Sequence, residues 1–286
     1  LALEVTCQNG GDEFRPDIVI FINGLPLSYI EVKQPNAIRD GKTAIQSEQS
    51  RTAVRFENRR FRRFNNITQL LSFSDNLPYI SGQGQQKQGS FYCSNAFSKT
   101  KFNAFKEERE EELIYSIRSL GEEEIDAVLK DVNRFALKSQ PEFKTNQDPS
   151  TPCNTFISSL YQKERLLFLL RYGLAYVEEH SKDGTIQLQK HVMRYPQFFA
   201  TKAIEDAIGK GVKKGVIWHT QGSGKTALSY FNIRYLTNYF SKQEIVLQFY
   251  FVVDRLDLAD QATREFTKRG LKVKRINRPQ ELNEKH

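Results

Sequence analysis

The stretch Gly215-Val-Ile-Trp-His-Thr-Gln-Gly-Ser-Gly-Lys-Thr226 decides the fold of the C-terminal half of the chain. A hydrophobic strand leads into a glycine-rich turn whose backbone N–H groups can approach phosphate oxygens, and the following helix directs its positive end at the same anion. Lys225 would contact the β- and γ-phosphates of ATP, and the Thr226 hydroxyl would bind Mg²⁺. The alternative is an ordinary glycine-rich turn, which His219 would pack against or cap. The residues assigned to the predicted nucleotide site are Thr220, Gln221, Gly222, Ser223, Gly224, Lys225 and Thr226.

Strand and helix signals alternate around this loop, which is typical of a parallel α/β sheet. Asp254 ends one of these strands, but Arg255 follows it in place of a second acid, so we interpret residues 252–261 as a positioning or DNA-contact element. No Asp-Glu pair in a suitable strand follows, and we expect this segment to bind nucleotide better than it hydrolyses it. The predicted strands are 216–219, 245–254 and 271–276, and the predicted helices are 155–178, 200–209, 225–240 and 256–269.

A second pattern lies near the start of the chain, where Pro16-Asp17 is followed after thirteen residues by Glu31-Val32-Lys33. Residues 17–22 and 27–33 predict strands, and Asn23-Gly24 between them predicts a hairpin. Two carboxylates suit Mg²⁺, helped by the Val32 carbonyl, and the metal would activate water and neutralise charge on a phosphodiester. Lys33 faces the same side of its strand as Glu31. The alternative is an exposed hairpin with three polar side chains on its wet face.

The register of this hairpin decides between the two interpretations. A two-residue loop at Asn23-Gly24 pairs Asp17 with Ile30 and turns it away from Glu31, whereas a three-residue loop pairs Asp17 with Glu31. A shift of one residue reverses the faces of a strand. The cleavage hypothesis therefore requires the second register or an equivalent bulge, and Pro26, which cannot donate to the ladder, favours an irregular turn.

Composition sets the remaining bounds. The 286 residues are 39% hydrophobic and 27% charged, which predicts a folded chain of about two domains. The proline-containing polar segment 139–154 places the boundary so that the domains are 1–150 and 151–286. The net charge of +8 attracts polyanions, while three scattered cysteines and four unclustered histidines predict neither disulfides nor zinc. No apolar run could span a bilayer, so we expect a cytoplasmic protein without a membrane partner. The chain begins without Met, and we expect a fragment.

The segment Arg51–Phe64 is strongly basic and contains a single acid, Glu57. Arginine binds phosphate in a bidentate manner, and the interleaved phenylalanines could stack on bases, so the segment predicts a DNA-binding surface. The alternative is a basic helix whose phenylalanines face the core. The arginines assigned to DNA are Arg51, Arg55, Arg59, Arg60, Arg62 and Arg63.

Taken together, these motifs resemble the restriction (R) subunit of type I restriction–modification enzymes. The resemblance is carried by residues 15–33, by the phosphate loop at 217–226 and by residues 251–261. It implies a PD-(D/E)xK nuclease-like mixed-sheet domain. A RecA-like superfamily 2 lobe with a P-loop and a parallel sheet would follow this domain, and the lobe would be incomplete at its C-terminus. The resemblance further implies a prokaryotic ATP-dependent translocase and endonuclease that cuts double-stranded DNA away from the recognition site. The specificity (S) and methyltransferase (M) subunits would be its partners.

Carried over position by position, Asp17, Glu31 and Lys33 become the nuclease triad, and the phosphate loop becomes the ATP site. Gln197, in Arg194-Tyr-Pro-Gln197, stands where the family places an adenine-reading glutamine. The family's Gln-x-x-x-Tyr element is not cleanly present; Gln46 is our choice, although Ser50 takes the place of the tyrosine. Two other functions stay open, another nuclease–helicase of DNA repair and a non-cleaving ATP- and DNA-binding assembly module.

Overall fold

The computed structural model describes residues 1–80, 88–96, 100–113, 120–180, 184–220 and 222–276. Contacts divide the chain into two units, Leu1–Arg171 and Tyr172–His286. The sequence places the boundary at residue 150, so two helices of the predicted second domain lie within the first unit. None of the described helices combines the length and apolar character that a bilayer crossing requires.

The first unit is built on a mixed sheet and several short helices. Its strands are β1 (Ala2–Leu3), β2 (Cys7–Asn9), β3 (Asp12–Phe14), β4 (Ile18–Ile22), β5 (Leu25–Val32), β6 (Ile38–Arg39), β7 (Lys42–Thr43), β8 (Leu70–Ser74), β9 (Ser90–Cys93) and β10 (Asn103–Ala104). Its α-helices are α1 (Ala44–Glu57), α2 (Arg62–Ile67), α3 (Glu110–Leu113), α4 (Glu122–Asp131), α5 (Pro141–Asn146), α6 (Pro152–Leu160) and α7 (Lys163–Tyr172), with 3₁₀ helices at Arg59–Phe61 and Phe135–Ser139.

Six strands form one sheet in the order β1-β4-β5-β8-β9-β10. The β5–β8 pair is parallel, and every other pair in this sheet is antiparallel. Parallel neighbours need a crossover connection, and α1 and α2 lie in the connection between β5 and β8. This arrangement places α1 against one face of the sheet.

Alternation along the strands separates the two faces of this sheet. Val19 and Tyr29 pair across β4 and β5, and both are fully buried in a cluster that also includes Phe73. Ile45 and Phe56, near the two ends of α1, complete the same cluster. The core therefore fixes α1 on the sheet face that bears the odd-numbered residues of β5.

The opposite face is held by hydroxyl groups. Tyr161, which follows α6, shares hydrogen bonds with Ser28 at 2.9 Å and donates to Ser72 at 2.7 Å. Burial raises the pKa of the Tyr161 phenol to about 12, so it remains a neutral donor. The sheet is therefore covered on both faces within the first unit.

The described residues of the second unit form a hairpin of β11 (Leu174–His180) and β12 (Ile186–Val192), and the helices α8 (Tyr195–Gly209), α9 (Lys225–Ser241) and α10 (Leu256–Thr267). The predicted helices near 200–209, 225–240 and 256–269 are present. The predicted helix at 155–178 is wrong, since that range holds α6, α7 and the start of β11, which pairs antiparallel with β12.

The predicted parallel strands of this unit are also wrong for the described residues. Residues 216–219, 245–254 and 271–276 carry no strand assignment there, and no described sheet includes them. Trp218 and Val246 are 91% and 94% exposed. An apolar segment becomes a strand only where a neighbouring backbone supplies its hydrogen bonds, and the described neighbours of these segments do not.

Candidate functional site

The β4–β5 hairpin has the register that brings Asp17 to Glu31. The turn contains two residues, Asn23 and Gly24, both with positive φ, but the pairing then shifts by one residue. Between the two pairs that flank the shift, β5 has one extra residue, Leu27, which is a one-residue bulge. Ile18 pairs with Ile30 beyond it, so the same register continued places Asp17 opposite Glu31. The flanking pairs are Ile20 with Ser28 and Phe21 with Pro26.

The three predicted triad residues meet on one face of the sheet. The Lys33 Nζ atom lies 2.7 Å from Glu31 Oε2 and 3.9 Å from Asp17 Oδ2. The backbone N–H of Val32 donates to Asp17 Oδ2 at 2.7 Å, which fixes that carboxylate against the neighbouring strand. The Asp17 side chain is 43% exposed and that of Glu31 is 2% exposed. The group is thus open to solvent at Asp17 and closed at Glu31.

Helix α1 adds two charged residues that sequence reasoning did not place in this group. Arg55 Nη1 donates to Glu31 Oε1 at 2.9 Å and to Glu48 Oε1 at 3.4 Å. Glu48 Oε2 lies 3.2 Å from Lys33 Nζ. Burial acts to lower the pKa of Arg55, but the carboxylates of Glu31 and Glu48 outweigh it and raise this pKa above its ordinary value.

A signal for these residues was present in the sequence. Ile45, Glu48, Thr52, Arg55 and Phe56 recur at spacings of three and four residues, so they share one face of a helix, and all are buried. The apolar residues at the two ends of this face mark it as inward. The polar residues between them must then lie inside the unit.

The structure places Gln46 at the start of α1 and not among the triad. Its side-chain oxygen accepts from the Thr43 N–H at 3.0 Å, and its own N–H donates to Thr43 Oγ1 at 3.2 Å. This reciprocal pair is a capping box, and it occupies the Gln46 side chain at the helix end. Glu48 of α1 contacts Lys33 of the triad, and Thr52, four residues further on, donates to Glu48 at 3.3 Å.

The carboxylates of Asp17 and Glu31 are ligands of the type that Mg²⁺ prefers. Asp17 and Glu31 present carboxylate oxygens on one face, and Mg²⁺ is commonly held by one or two carboxylates together with water molecules. Among the described residues, no group of three His, Cys, Asp or Glu side chains is arranged to hold a metal. The ammonium group of Lys33 lies between the carboxylates, so they already have a cationic partner.

The arginine-rich segment divides between the surface and the interior. Phe56 and Phe61 are buried, as the core-facing alternative predicts. Arg55 is also buried and pairs with Glu31, so it faces the triad and not an external phosphate. Arg60 donates to the Gly10 carbonyl at 2.5 Å and pairs with Asp12. The exposed arginines are Arg51, Arg59, Arg60, Arg62 and Arg63.

An open pocket of about 680 Å³ lies beside α1. Its lining includes Arg15, Arg51 and Arg55, together with Phe14. The lining also includes the acids Asp12 and Glu13, and Arg51 pairs with Glu48 of α1 at 3.2 Å.

In the second unit, the phosphate loop leads into α9 at Lys225. Gly222 and Gly224 both have positive φ, which glycine adopts readily. The Lys225 ammonium group donates to the carbonyl oxygens of His219 at 2.8 Å and Thr220 at 3.0 Å. His219, which replaces the first glycine of the pattern, thus holds the lysine through its backbone. Gln221 lies outside the described residues.

Gln197 contacts the backbone of this loop. Its Nε2 atom donates to the carbonyl oxygens of Gly224 at 2.9 Å and Ser223 at 3.3 Å, while its oxygen accepts from the Arg194 N–H. Arg194 itself donates to the Gly222 carbonyl at 3.1 Å. The start of α8 therefore holds the loop from one side, and the predicted adenine reader lies next to the predicted phosphate site.

Two family models match the chain. Residues 1–111 match the type I restriction enzyme R protein N terminus, and residues 196–286 match the SWI2/SNF2 ATPase. The class is therefore a restriction-enzyme N-terminal domain followed by SWI2/SNF2-type ATPase sequence. No solved structure matches the chain.

Curated relatives agree with this class. A Methanocaldococcus jannaschii protein named as the type I restriction enzyme MjaVIIP endonuclease subunit is 44% identical over 35% of this chain and 10% of its own length. The protein named as the MjaIXP endonuclease subunit of the same organism is 23% identical over 94% of this chain and 22% of its own length. The Staphylococcus aureus type I restriction enzyme SauCOLORF180P endonuclease subunit is 36% identical over 32% of this chain and 10% of its own length.

The predicted resemblance is confirmed: residues 1–111 match the model of the type I restriction enzyme R protein N terminus, and the relatives named above are type I restriction enzyme endonuclease subunits. The chain spans between 10% and 22% of the length of these relatives.

The phosphate loop yields a matched pair of glycine variants. A Cβ at Gly224 would lie 2.4 Å from Gln197 Nε2, whereas a Cβ at Gly222 would meet nothing within 4 Å. Both positions have positive φ, so alanine costs about 1–2 kcal/mol at each. The Gln197 amide would have to move and lose its hydrogen bonds to Ser223 and Gly224, so we expect Gly224→Ala to lose more stability than Gly222→Ala, as measured by hydrogen exchange of the first turn of α9. Equal losses would show that the Gln197 amide moves aside without cost.

Proposed function

We propose that the chain is part of an ATP-dependent DNA translocase and Mg²⁺-dependent endonuclease subunit of a type I restriction enzyme, which cuts duplex DNA away from its recognition site. One observation carries the proposal: Lys33 lies between Asp17 and Glu31 on one face of a hairpin. The first unit would then be a PD-(D/E)xK nuclease domain, and the phosphate loop would belong to a RecA-like lobe. The S and M subunits would supply recognition and methylation.

Each side chain of the proposed cleavage site has a distinct role. Asp17 and Glu31 would hold Mg²⁺ together with the Val32 carbonyl, and the bound ion would supply Lewis-acid activation of water and charge neutralisation. Arg55 anchors Oε1 of Glu31, and Oε2, which pairs with Lys33, would be the oxygen that binds the metal. Lys33 would direct its ammonium group at a non-bridging phosphate oxygen of DNA, since charged donors form the stronger hydrogen bonds to phosphate.

The nucleotide site would use the groups already assembled at the loop. Lys225 would exchange the carbonyl oxygens of His219 and Thr220 for phosphate oxygens of ATP. Thr226, in the first turn of α9, would bind Mg²⁺ through its hydroxyl. Gln197 would read the adenine from its position against the loop backbone.

Removal of one triad carboxylate tests the cleavage site. In the full-length protein with its partner subunits, ATP, Mg²⁺ and a circular plasmid carrying a site, we expect Asp17→Asn to cut at least about 100-fold more slowly while ATP turnover continues, because a neutral amide is a poor Mg²⁺ ligand. Asp131→Asn, at an exposed position on α4, is the control. Normal cutting by Asp17→Asn would place the nuclease elsewhere; loss of ATP turnover in parallel would point to misfolding.

Removal of the loop lysine tests the motor. Lys225→Ala should abolish ATP turnover and, with it, cutting that depends on translocation, because the phosphates lose their cationic partner. Lys242→Ala, at the other end of α9, removes the same charge from an exposed position and should change neither activity. Full ATP turnover in Lys225→Ala would refute the loop assignment.

The exposed arginines test the DNA surface. Each phosphate contact contributes about 0.9 to the slope of log affinity against log salt, so a triple Arg→Gln variant at Arg59, Arg62 and Arg63 should flatten the slope by about 2.7 if all three bind phosphate. Fluorescence anisotropy titrations at several salt concentrations measure this slope. The control is a triple Lys→Gln variant, which makes the same change in net charge at three other exposed positions of the first unit, Lys130, Lys144 and Lys163. Equal slopes for both variants would remove this segment from the DNA path.

A further inference from the structure

Glu48 is an unusual group for the interior of a helix-on-sheet interface. Its side chain is fully buried, and a buried carboxylate is unfavourable unless cations and hydrogen-bond donors compensate it. Four groups do so: Lys33, Arg51 and Arg55 by charge, and the Thr52 hydroxyl by a 3.3 Å hydrogen bond. Two of these cations, Lys33 and Arg55, also contact Glu31, a residue of the proposed triad.

The position of Lys33 depends on this carboxylate. Its ammonium group lies 2.7 Å from Glu31 Oε2, 3.2 Å from Glu48 Oε2 and 3.9 Å from Asp17 Oδ2. Glu31 and Asp17 approach it from the strands, and Glu48 approaches it from α1. A lysine side chain has a long flexible stem, so partners on one side alone leave it free to rotate. Glu48 supplies the anchor on the second side.

The contact between Glu48 and Lys33 is ionic. Among the described groups, no donor makes a hydrogen bond with Glu48 Oε2, although the Lys33 and Arg51 cations are both 3.2 Å away. Ionic attraction depends weakly on angle, whereas a hydrogen bond weakens steeply when it bends. The attraction can therefore persist while Lys33 turns towards a phosphate oxygen.

We propose that Glu48 is a positioning residue of the cleavage site, which holds the Lys33 ammonium group beside Asp17 and Glu31 from the helix side. The inference rests on the proposed cleavage function and adds a residue to it. Glu48 contacts neither DNA nor the reacting atoms in this role; it acts through Lys33.

Three single variants separate this role from a structural one. Glu48→Gln keeps the shape and removes the charge, Glu48→Asp keeps the charge on a shorter stem, and Glu57→Gln removes a charge at an exposed position of the same helix. They are compared in the full-length protein with its partner subunits, by DNA affinity, ATP turnover and the rate of strand cleavage at saturating DNA. Hydrogen exchange of β5 and α1 reports folding.

Displacement of a catalytic group by about 1 Å can lower the rate roughly 100-fold. Glu48→Gln should therefore cut about 100-fold more slowly. DNA affinity and ATP turnover should be unchanged, because the change acts on Lys33. Any faster hydrogen exchange of β5 should be reversed by Glu48→Asp, which restores the buried charge. Glu48→Asp should recover cutting to within about tenfold of the unaltered protein, since an ionic contact tolerates a small change in distance. Glu57→Gln should cut normally.

A double variant tests whether Glu48 acts through Lys33. With Lys33→Gln present, the further change Glu48→Gln should slow the residual cutting less than about threefold, because residues that act as one unit are not additive. A multiplied loss, or faster hydrogen exchange of β5 without rescue by Glu48→Asp, would show a structural role and overturn the proposal. Normal cutting by Glu48→Gln would also overturn it. Normal cutting by Asp17→Asn would refute the proposed cleavage function itself. Normal cutting by Glu48→Gln together with slow cutting by Asp17→Asn would refute only the role of Glu48.

Discussion

The register of β4 against β5 is the constraint on which the arrangement of the first unit depends. The pairing shifts on the turn side of the Val19–Tyr29 pair, so this buried pair and the Asp17–Glu31 pair lie in the same register. A slip of one residue would turn either Val19 or Tyr29 out of the core at the same time as it separated the two carboxylates. The free energy of burying the core therefore also maintains the geometry of the site, because both depend on the same strand register.

The charges of the site are arranged around this register. Three carboxylates, from Asp17, Glu31 and Glu48, surround two largely buried cations, Lys33 and Arg55. Arg51 adds a third, more exposed cation beside Glu48, so the charges within this group balance, while the exposed arginines of the segment after Arg51 attract a polyanion. A basic rim around carboxylates and a lysine suits the phosphodiester substrate of the proposed function. The same charge pattern explains why Arg55 belongs to the interior and its exposed neighbours to the surface.

Local patterns in the sequence predicted the hairpin, the triad and the phosphate loop, because alternation, turn residues and glycine spacing act over a few residues. They left the register open, since a loop of three residues and a bulge at Leu27 give the same result. Glu48 was missed because its role depends on where α1 packs. The predicted strands at 216–219 and 245–254 were wrong because a parallel strand forms only with a non-local partner, which the apolar residues of a segment do not reveal.

Both sites hold a lysine on polar groups of the protein, and the nature of those groups implies different requirements for ligand binding. Lys225 donates to neutral carbonyl oxygens, and the charged oxygens of a phosphate are stronger acceptors, so a nucleotide can attract this lysine unaided. Lys33 already pairs with carboxylates, so a phosphodiester offers it no such advantage. DNA can attract Lys33 only when Asp17 and Glu31 have another counter-ion. The proposed nucleotide loop would therefore bind its ligand unaided, whereas the proposed cleavage site would bind DNA only together with a metal ion.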